Sequence, residues 1–193
     1  MANNVTKDSD YVVGLDIGTS KVVCIIGKYV DQHSLEVVSM GSYPSSGLKK
    51  GVVVNIDATT DAIQKSIDQA QASFEGKIKN VYVGIAGNHI RSLNSHGIVG
   101  IKDKEVEASD IDRVIEAAQA VAIPSDQRVL HVLPQEYVID NQDSIREPLG
   151  MSGVRLESHV HLVTCANNAI QNIEKCVKRC GIGVDGFVLE QLA

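Results

Sequence analysis

Short unbroken apolar runs and longer stretches of helical periodicity alternate along this chain. Tyr11–Leu15, Val22–Gly27 and Leu35–Met40 are three closely spaced apolar runs with turn residues between them. That pattern predicts an antiparallel meander. Ile63, Ile67, Ala70 and Phe74 then recur at helical spacing, with Asn55 or Asp57 placed to cap the start and Gly76 to stop the end. Val81–Ala86 reads as a strand and Ser92–Ile101 as a more polar one. Ile111, Val114, Ile115, Ala118 and Val121 form the apolar face of a second helix. Ser109, with Asp112 three residues on, suggests its capping box, and Pro124 its end. Val129–Leu133 and Tyr137–Ile139 read as one strand interrupted at Pro134, followed by a charged, Gly-rich loop through Gly153. His159–Cys165 alternates like a strand. Asn167 caps a last helix bearing Ile170, Ile173, Val177 and Cys180, stopped by Gly181, and Val184–Leu189 is the final strand.

Composition narrows the function classes. The 193 residues are 44% hydrophobic and 22% charged, as in ordinary globular proteins. Trp is absent and Phe scarce, so the core must be built from Val, Ile, Leu and Ala. A net charge of −6 argues against a nucleic-acid partner, which would need clustered Lys and Arg. The densest basic cluster, Lys175, Lys178 and Arg179, falls in the last turn of a predicted helix, where cations complement the macrodipole. Cys24, Cys165, Cys176 and Cys180 lie in apolar runs or on one helix face, and read as reduced core residues of a cytosolic protein. The polar start (Asn3, Asn4, Lys7, Asp8, Asp10) has no apolar signal region, and no apolar stretch approaches bilayer length. The chain stops at Ala193 directly after an apolar strand, so further chain is expected beyond it.

The sharpest chemical feature is Gly14-Leu15-Asp16-Ile17-Gly18-Thr19-Ser20-Lys21 between the first two strands. Gly18 permits close approach of a ligand to the backbone. Thr19 and Ser20 add hydroxyl donors, and Lys21 can place an ammonium near phosphate oxygens. Asp16, at the mouth of the strand, could hold Mg²⁺ through waters. The competing reading is an ordinary hairpin turn, for which the same residue types are common.

This turn resembles the first phosphate loop of the actin, Hsp70 and sugar-kinase superfamily. Two further stretches resemble the FtsA family of bacterial cell-division proteins within it. One is Gly47-Leu48-Lys49-Lys50-Gly51-Val52-Val53-Val54-Asn55. The other runs from Arg128-Val129-Leu130-His131-Val132-Leu133-Pro134-Gln135-Glu136-Tyr137 through Pro148–Leu156 to His161. The resemblance covers about Tyr11 to Ala193. It implies an α/β, actin-like (ribonuclease H-like) mixed sheet with flanking helices and an inserted small α+β subdomain. Residues 1–83 and 159–193 would form the parent subdomain and residues 84–158 the insertion.

The resemblance also implies a function. The phosphate loop would grip the β- and γ-phosphates of ATP, with Mg²⁺ near Asp16. Glu190, in Glu190-Gln191-Leu192-Ala193, resembles the acidic or amide residue that faces the γ-phosphate through the attacking water. Hydrolysis would be weak at most, and this chain alone inactive. Family members polymerise with themselves and tether the tubulin-like FtsZ ring to the cytoplasmic membrane. They recruit later division proteins such as FtsN through the inserted subdomain. FtsZ and membrane contacts would lie beyond Ala193, and the protein would sit on the inner face of the cell membrane at the division site. The rival readings are a pilus-assembly relative sharing the insertion and a sugar or acetate kinase of the same superfamily.

Three other patterns are set aside. Gly181, Gly183 and Gly186 match G-x-G-x-x-G, but follow a helix and precede a strand, the reverse of the dinucleotide fingerprint. His159, His161 and Cys165 share a strand face without the spacing of a common zinc motif. Asn4-Val5-Thr6 is a glycosylation sequon that means nothing in a cytosolic chain.

Overall fold

The apolar runs at the start form consecutive antiparallel strands, β1 (Tyr11–Ile17), β2 (Lys21–Tyr29) and β3 (Leu35–Pro44). This is a computed structural model that describes residues 11–31 and 34–192; the polar start and the Asn4 sequon lie outside the described residues. A tight hairpin follows, β4 (Leu48–Lys49) and β5 (Val52–Val53). Its two central residues, Lys50 and Gly51, both adopt positive φ, of 52° and 79°. Such mirror-image turns match the twist of paired strands. Helix α1 (Ile56–Ala72) is capped by Asn55, whose side chain accepts from the Ala58 amide at 3.0 Å. Asp57 instead pairs with Arg179 at 2.7 Å.

Strands β6 (Asn80–Ile85) and β11 (Gly183–Leu189) extend the meander, with β6 parallel to β1 and β11 parallel to β6. The sheet order is β11-β6-β1-β2-β3. Leu15, Ile17, Val22, Cys24, Ile26, Val81, Val83 and Ile85 are buried. Helix α1 packs on β2, β3 and α3 (Asn167–Arg179), which buries Ile170, Ile173 and Val177. The α1 approach is close: a Cβ at Gly41 would stand 2.0 Å from the Ser66 carbonyl oxygen. Helix α3 ends at Gly181 with φ 73°, the left-handed residue expected after a helix.

A second compact unit comprises residues 90–166. It holds β7 (Ile90–Gly100), α2 (Ala108–Gln119), β8 (Gln127–Ile139), β9 (Gln142–Ile145) and β10 (Arg155–Ala166), with sheet order β7-β10-β8-β9. Its core gathers Val106, Val114, Tyr137, Ile139, Ile145 and Leu156.

Three local expectations are corrected here. The cap of α2 is Glu107 with Asp110, not Ser109 with Asp112; each side chain accepts from the other residue's amide. The Glu107 amide and then Arg113 hold the Asp110 carboxyl below the usual carboxylate range. Pro134 does not interrupt β8. His159 pairs with Glu136 and Val160 with Pro134, so Gln135 bulges and the strand continues. The loop before Gly153 contains strand β9, with left-handed Asp140 before it and left-handed Ser144 within it.

The contact division falls after His89 and after Ala166, later than the expected seams at Gly84 and Ser158. The reason is continuity of strands. β6 runs to Ile85 in the first sheet, and β10 pairs with β7 from Arg155 to Cys165 in the second.

Candidate functional site

Because β1, β6 and β11 are parallel, their carboxyl ends lie along one edge of the first unit's sheet. Ligands of α/β sheets bind off that end. The residues just past it, Gly18 and Thr19 after β1, Ala86–Asn88 after β6 and Glu190 after β11, line a cavity of about 460 Å³. Lys50 and Gly51 of the β4–β5 turn complete its wall. A cavity of about 470 Å³ opens at the other end of the sheet, by Tyr11, Phe74, Lys77 and Asp185. It lies at the amino ends of the same strands, a β1 length away, or about 20 Å, and has no glycine-hydroxyl turn.

The phosphate-type turn is a closed hairpin. The Gly18 amide donates to the Lys21 carbonyl at 3.0 Å, and the Ser45 amide donates to the Ser20 carbonyl at 2.9 Å. A Cβ on Gly18 would stand 2.9 Å from the Lys21 carbonyl oxygen, so any side chain there would move the turn. Gly18, Thr19 and Glu190 line the cleft; Ser20 and Lys21 are not among its lining residues. Lys21 is exposed and begins β2 opposite Pro44.

Glu190, which lines the cleft, pairs with Asp16 at the end of β1. Burial first, then a hydrogen bond and charge repulsion from Asp16, raise the Glu190 pKa above the usual carboxylate value. Asp16 Oδ1 is shielded from solvent and has no hydrogen-bond partner among the described residues. Gly84 lies beside both: a Cβ there would be in ordinary contact, 3.6 Å from Glu190 Cγ and 3.8 Å from Asp16 Cα. An unpartnered carboxylate oxygen beside a second carboxyl fits a cation with its waters. A glycine-walled turn fits a phosphate group. The residues present therefore fit a phosphate group and a hydrated Mg²⁺.

Sequence reasoning missed part of this wall. Gly51 and Gly87 meet back to back: a Cβ on Gly51 would be 2.1 Å from the Ala86 carbonyl oxygen, and one on Gly87 2.7 Å from that of Lys50. Two glycines at φ 79° and 135°, one in a KKG turn and one just past a strand, were the available signal. Behind Gly87, both ring nitrogens of His89 are shielded without a partner, and burial lowers its pKa.

The patterns set aside have structural explanations. His159 Nδ1 meets Glu136 Oε1 at 3.0 Å, and His161 Nδ1 meets Asn94 Oδ1 at 2.7 Å, while Cys165 is buried. Burial pushes the Cys24, Cys165 and Cys180 thiols up to about 11, so they stay protonated and unreactive. Gly183 and Gly186 lie within β11 rather than opening a helix.

A family model described as "SHS2 domain inserted in FTSA" matches residues 87–164. The chain is 66% identical to the cell division protein FtsA of Pseudomonas aeruginosa over 182 residues, covering 94% of this chain and 44% of that protein. The chain belongs to the FtsA family. FtsA of Neisseria meningitidis is 51% identical over 95% of the chain, and that of Escherichia coli 41% over 96%, each again covered over 44% of its own length. The chain thus spans less than half the length of these FtsA relatives. Among solved structures, a chain of the PilM–PilN type IV pilus biogenesis complex aligns with TM-score 0.60 at 14% identity, over 93% of this chain and 47% of that one. At that identity the likeness concerns the fold alone. The architecture is the actin-like α/β fold of FtsA with its inserted SHS2 domain.

Proposed function

We propose that this chain is the first nucleotide-binding lobe of an actin-like cell-division protein. The observation that carries the reading is the cleft at the carboxyl ends of β1, β6 and β11, lined by the Gly18–Thr19 turn and by Glu190, which pairs with Asp16. Thr19 would hold phosphate oxygens at the close approach that Gly18 allows, and Asp16 would hold the Mg²⁺ hydration shell. Bound Mg²⁺-ATP would supply an electrophilic terminal phosphoryl group and the charge that orders both walls of the site. Glu190, with its raised pKa and its neighbour Asp16, is placed to hold a proton near that group and to orient a water. One lobe offers one jaw, so affinity in the isolated chain is low.

At the level of the whole protein, the names of the FtsA relatives support a role in the division machinery. We extend the reading to self-polymerisation on ATP, tethering of the FtsZ ring to the membrane through chain beyond residue 193, and recruitment of later division proteins such as FtsN through the SHS2 unit. It would act as a cytoplasmic protein peripheral on the membrane at the division site. No helix among the described residues is long and apolar enough to cross a membrane. Identity of 41–66% to FtsA sequences favours this over the pilus-assembly reading, which has only fold likeness at 14%. Calorimetric titration of ATP into full-length protein tests the site. Binding in the native protein and a loss of more than tenfold in Gly18→Val support it, and equal affinity in both would refute it.

A further inference from the structure

We propose that Lys50, on the β4–β5 turn, is the cation that meets the phosphate tail of the nucleotide and favours a triphosphate over a diphosphate. This rests on the cleft being the nucleotide site. Among the described residues lining the cleft, Lys50 is the one cation, and Glu190 the one carboxylate. A polyphosphate entering a cavity lined by Glu190, with Asp16 beside it, meets repulsion from protein carboxylates. An ammonium carried on the Lys50 stem, from the turn that walls the cavity, would offset it. Lys21, the cation expected from the sequence for this task, does not line the cavity.

Three features set Lys50 apart from an ordinary surface lysine. It forms no ion pair among the described residues, so its charge is uncommitted. Its backbone is held at φ 52°, a left-handed conformation that residues with a Cβ adopt uncommonly. The contacts that hold the turn are visible. Leu48 and Val53 are buried at the base of the hairpin, and the Val54 and Asn55 amides both donate to the Gly47 carbonyl, at 2.8 and 3.1 Å. Gly51 and Gly87 then lock the turn against the end of β6, with the Lys50 carbonyl in the space a Gly87 side chain would fill. A glycine would satisfy the turn with less strain. A lysine there has its main chain fixed on the rim of an anion-sized cleft, and only its flexible stem is left to order on binding. A triphosphate brings one more negative charge than a diphosphate into the same cavity, so loss of the ammonium falls harder on ATP.

The test titrates Mg²⁺-ATP and Mg²⁺-ADP by calorimetry into full-length FtsA carrying this segment, as native protein, Lys50→Ala, Lys50→Arg and Gly18→Val. Lys50→Ala is expected to weaken ATP about tenfold and ADP about threefold or less, with Lys50→Arg recovering most of the loss. Gly18→Val should weaken both nucleotides. The ATP-to-ADP ratio does not depend on the fraction of protein folded, so it remains decisive if a variant is less stable. If Gly18→Val abolishes binding while Lys50→Ala leaves the ratio unchanged, the site stands and the role of Lys50 is refuted. If neither variant alters affinity, the cleft itself is not the nucleotide site, and the Lys50 inference falls with it.

Discussion

Gly51 and Ala86 approach so closely that a Cβ on Gly51 would stand 2.1 Å from the Ala86 carbonyl oxygen. This contact joins a two-residue turn to the end of a central strand and shapes one side of the cleft. Gly51→Ala adds both that clash and a strained φ of 79°. It is expected to destabilise the first unit by about 1–3 kcal/mol. Thermal unfolding of the isolated chain checks this; an unchanged midpoint would mean the turn moves freely.

Glu190 sits where a proton can be held against Asp16. Glu190→Ala in full-length protein should slow ATP turnover about tenfold or more, a typical general-base contribution being 10²–10⁴. Nucleotide affinity should stay within about threefold, since the phosphate turn is untouched. Phosphate release at saturating ATP reads the first effect and calorimetry the second. Unchanged turnover would leave Glu190 a purely structural partner of Asp16.

His89 gives a pH dependence with a definite sign. Burial lowers its folded pKa below the ordinary 6.5, so the unfolded chain binds the proton more readily. Stability is then full above pH 6.5 and declines as pH falls through that value toward the folded pKa. The drop in midpoint between pH 7.5 and 5.5 should shrink in His89→Leu, which cannot titrate. An equal drop in both proteins would show that other groups carry the effect.

The first sheet was legible because its signals are local. Short Val/Ile-rich runs bounded by turn residues favour strands, and Asn55 and Gly181 mark helix ends by chemistry that needs no tertiary context. What was missed depends on pairing. Pro134 looks like a strand break until β10 supplies a partner that tolerates a bulge at Gln135. Ser109 looks like a cap until Glu107 and Asp110 satisfy each other's amides first. At the cleft, Gly18 and Glu190 announce themselves by type. Lys50 belongs to a surface-looking KKG turn, and only the folding of β4–β5 against the end of β6 brings it to the Gly18 turn.

The second unit should be removable. Ile90 and Cys165 are cross-strand partners, so the chain enters and leaves it at adjacent positions about 5 Å apart. Deleting residues 90–166 and joining His89 to Asn167 with a short Gly/Ser linker should leave a cooperatively folded remainder. Deleting 84–158 instead would cut Ile85 from β6 and strand the end of β10, and should unfold it. Circular dichroism with thermal melts distinguishes the two; an unfolded 90–166 deletion would show that the first core cannot stand alone.

The most direct test of the nucleotide cleft is hydrogen–deuterium exchange of full-length protein with and without Mg²⁺-ATP. Protection is expected in peptides covering residues 17–19, 50–51 and 86–88, the segments that wall the cavity at the carboxyl ends of β1 and β6. Protection confined to Tyr11–Val13 and Phe74–Asn80, around the cavity at the amino ends of the strands, or no change in either place, would contradict it.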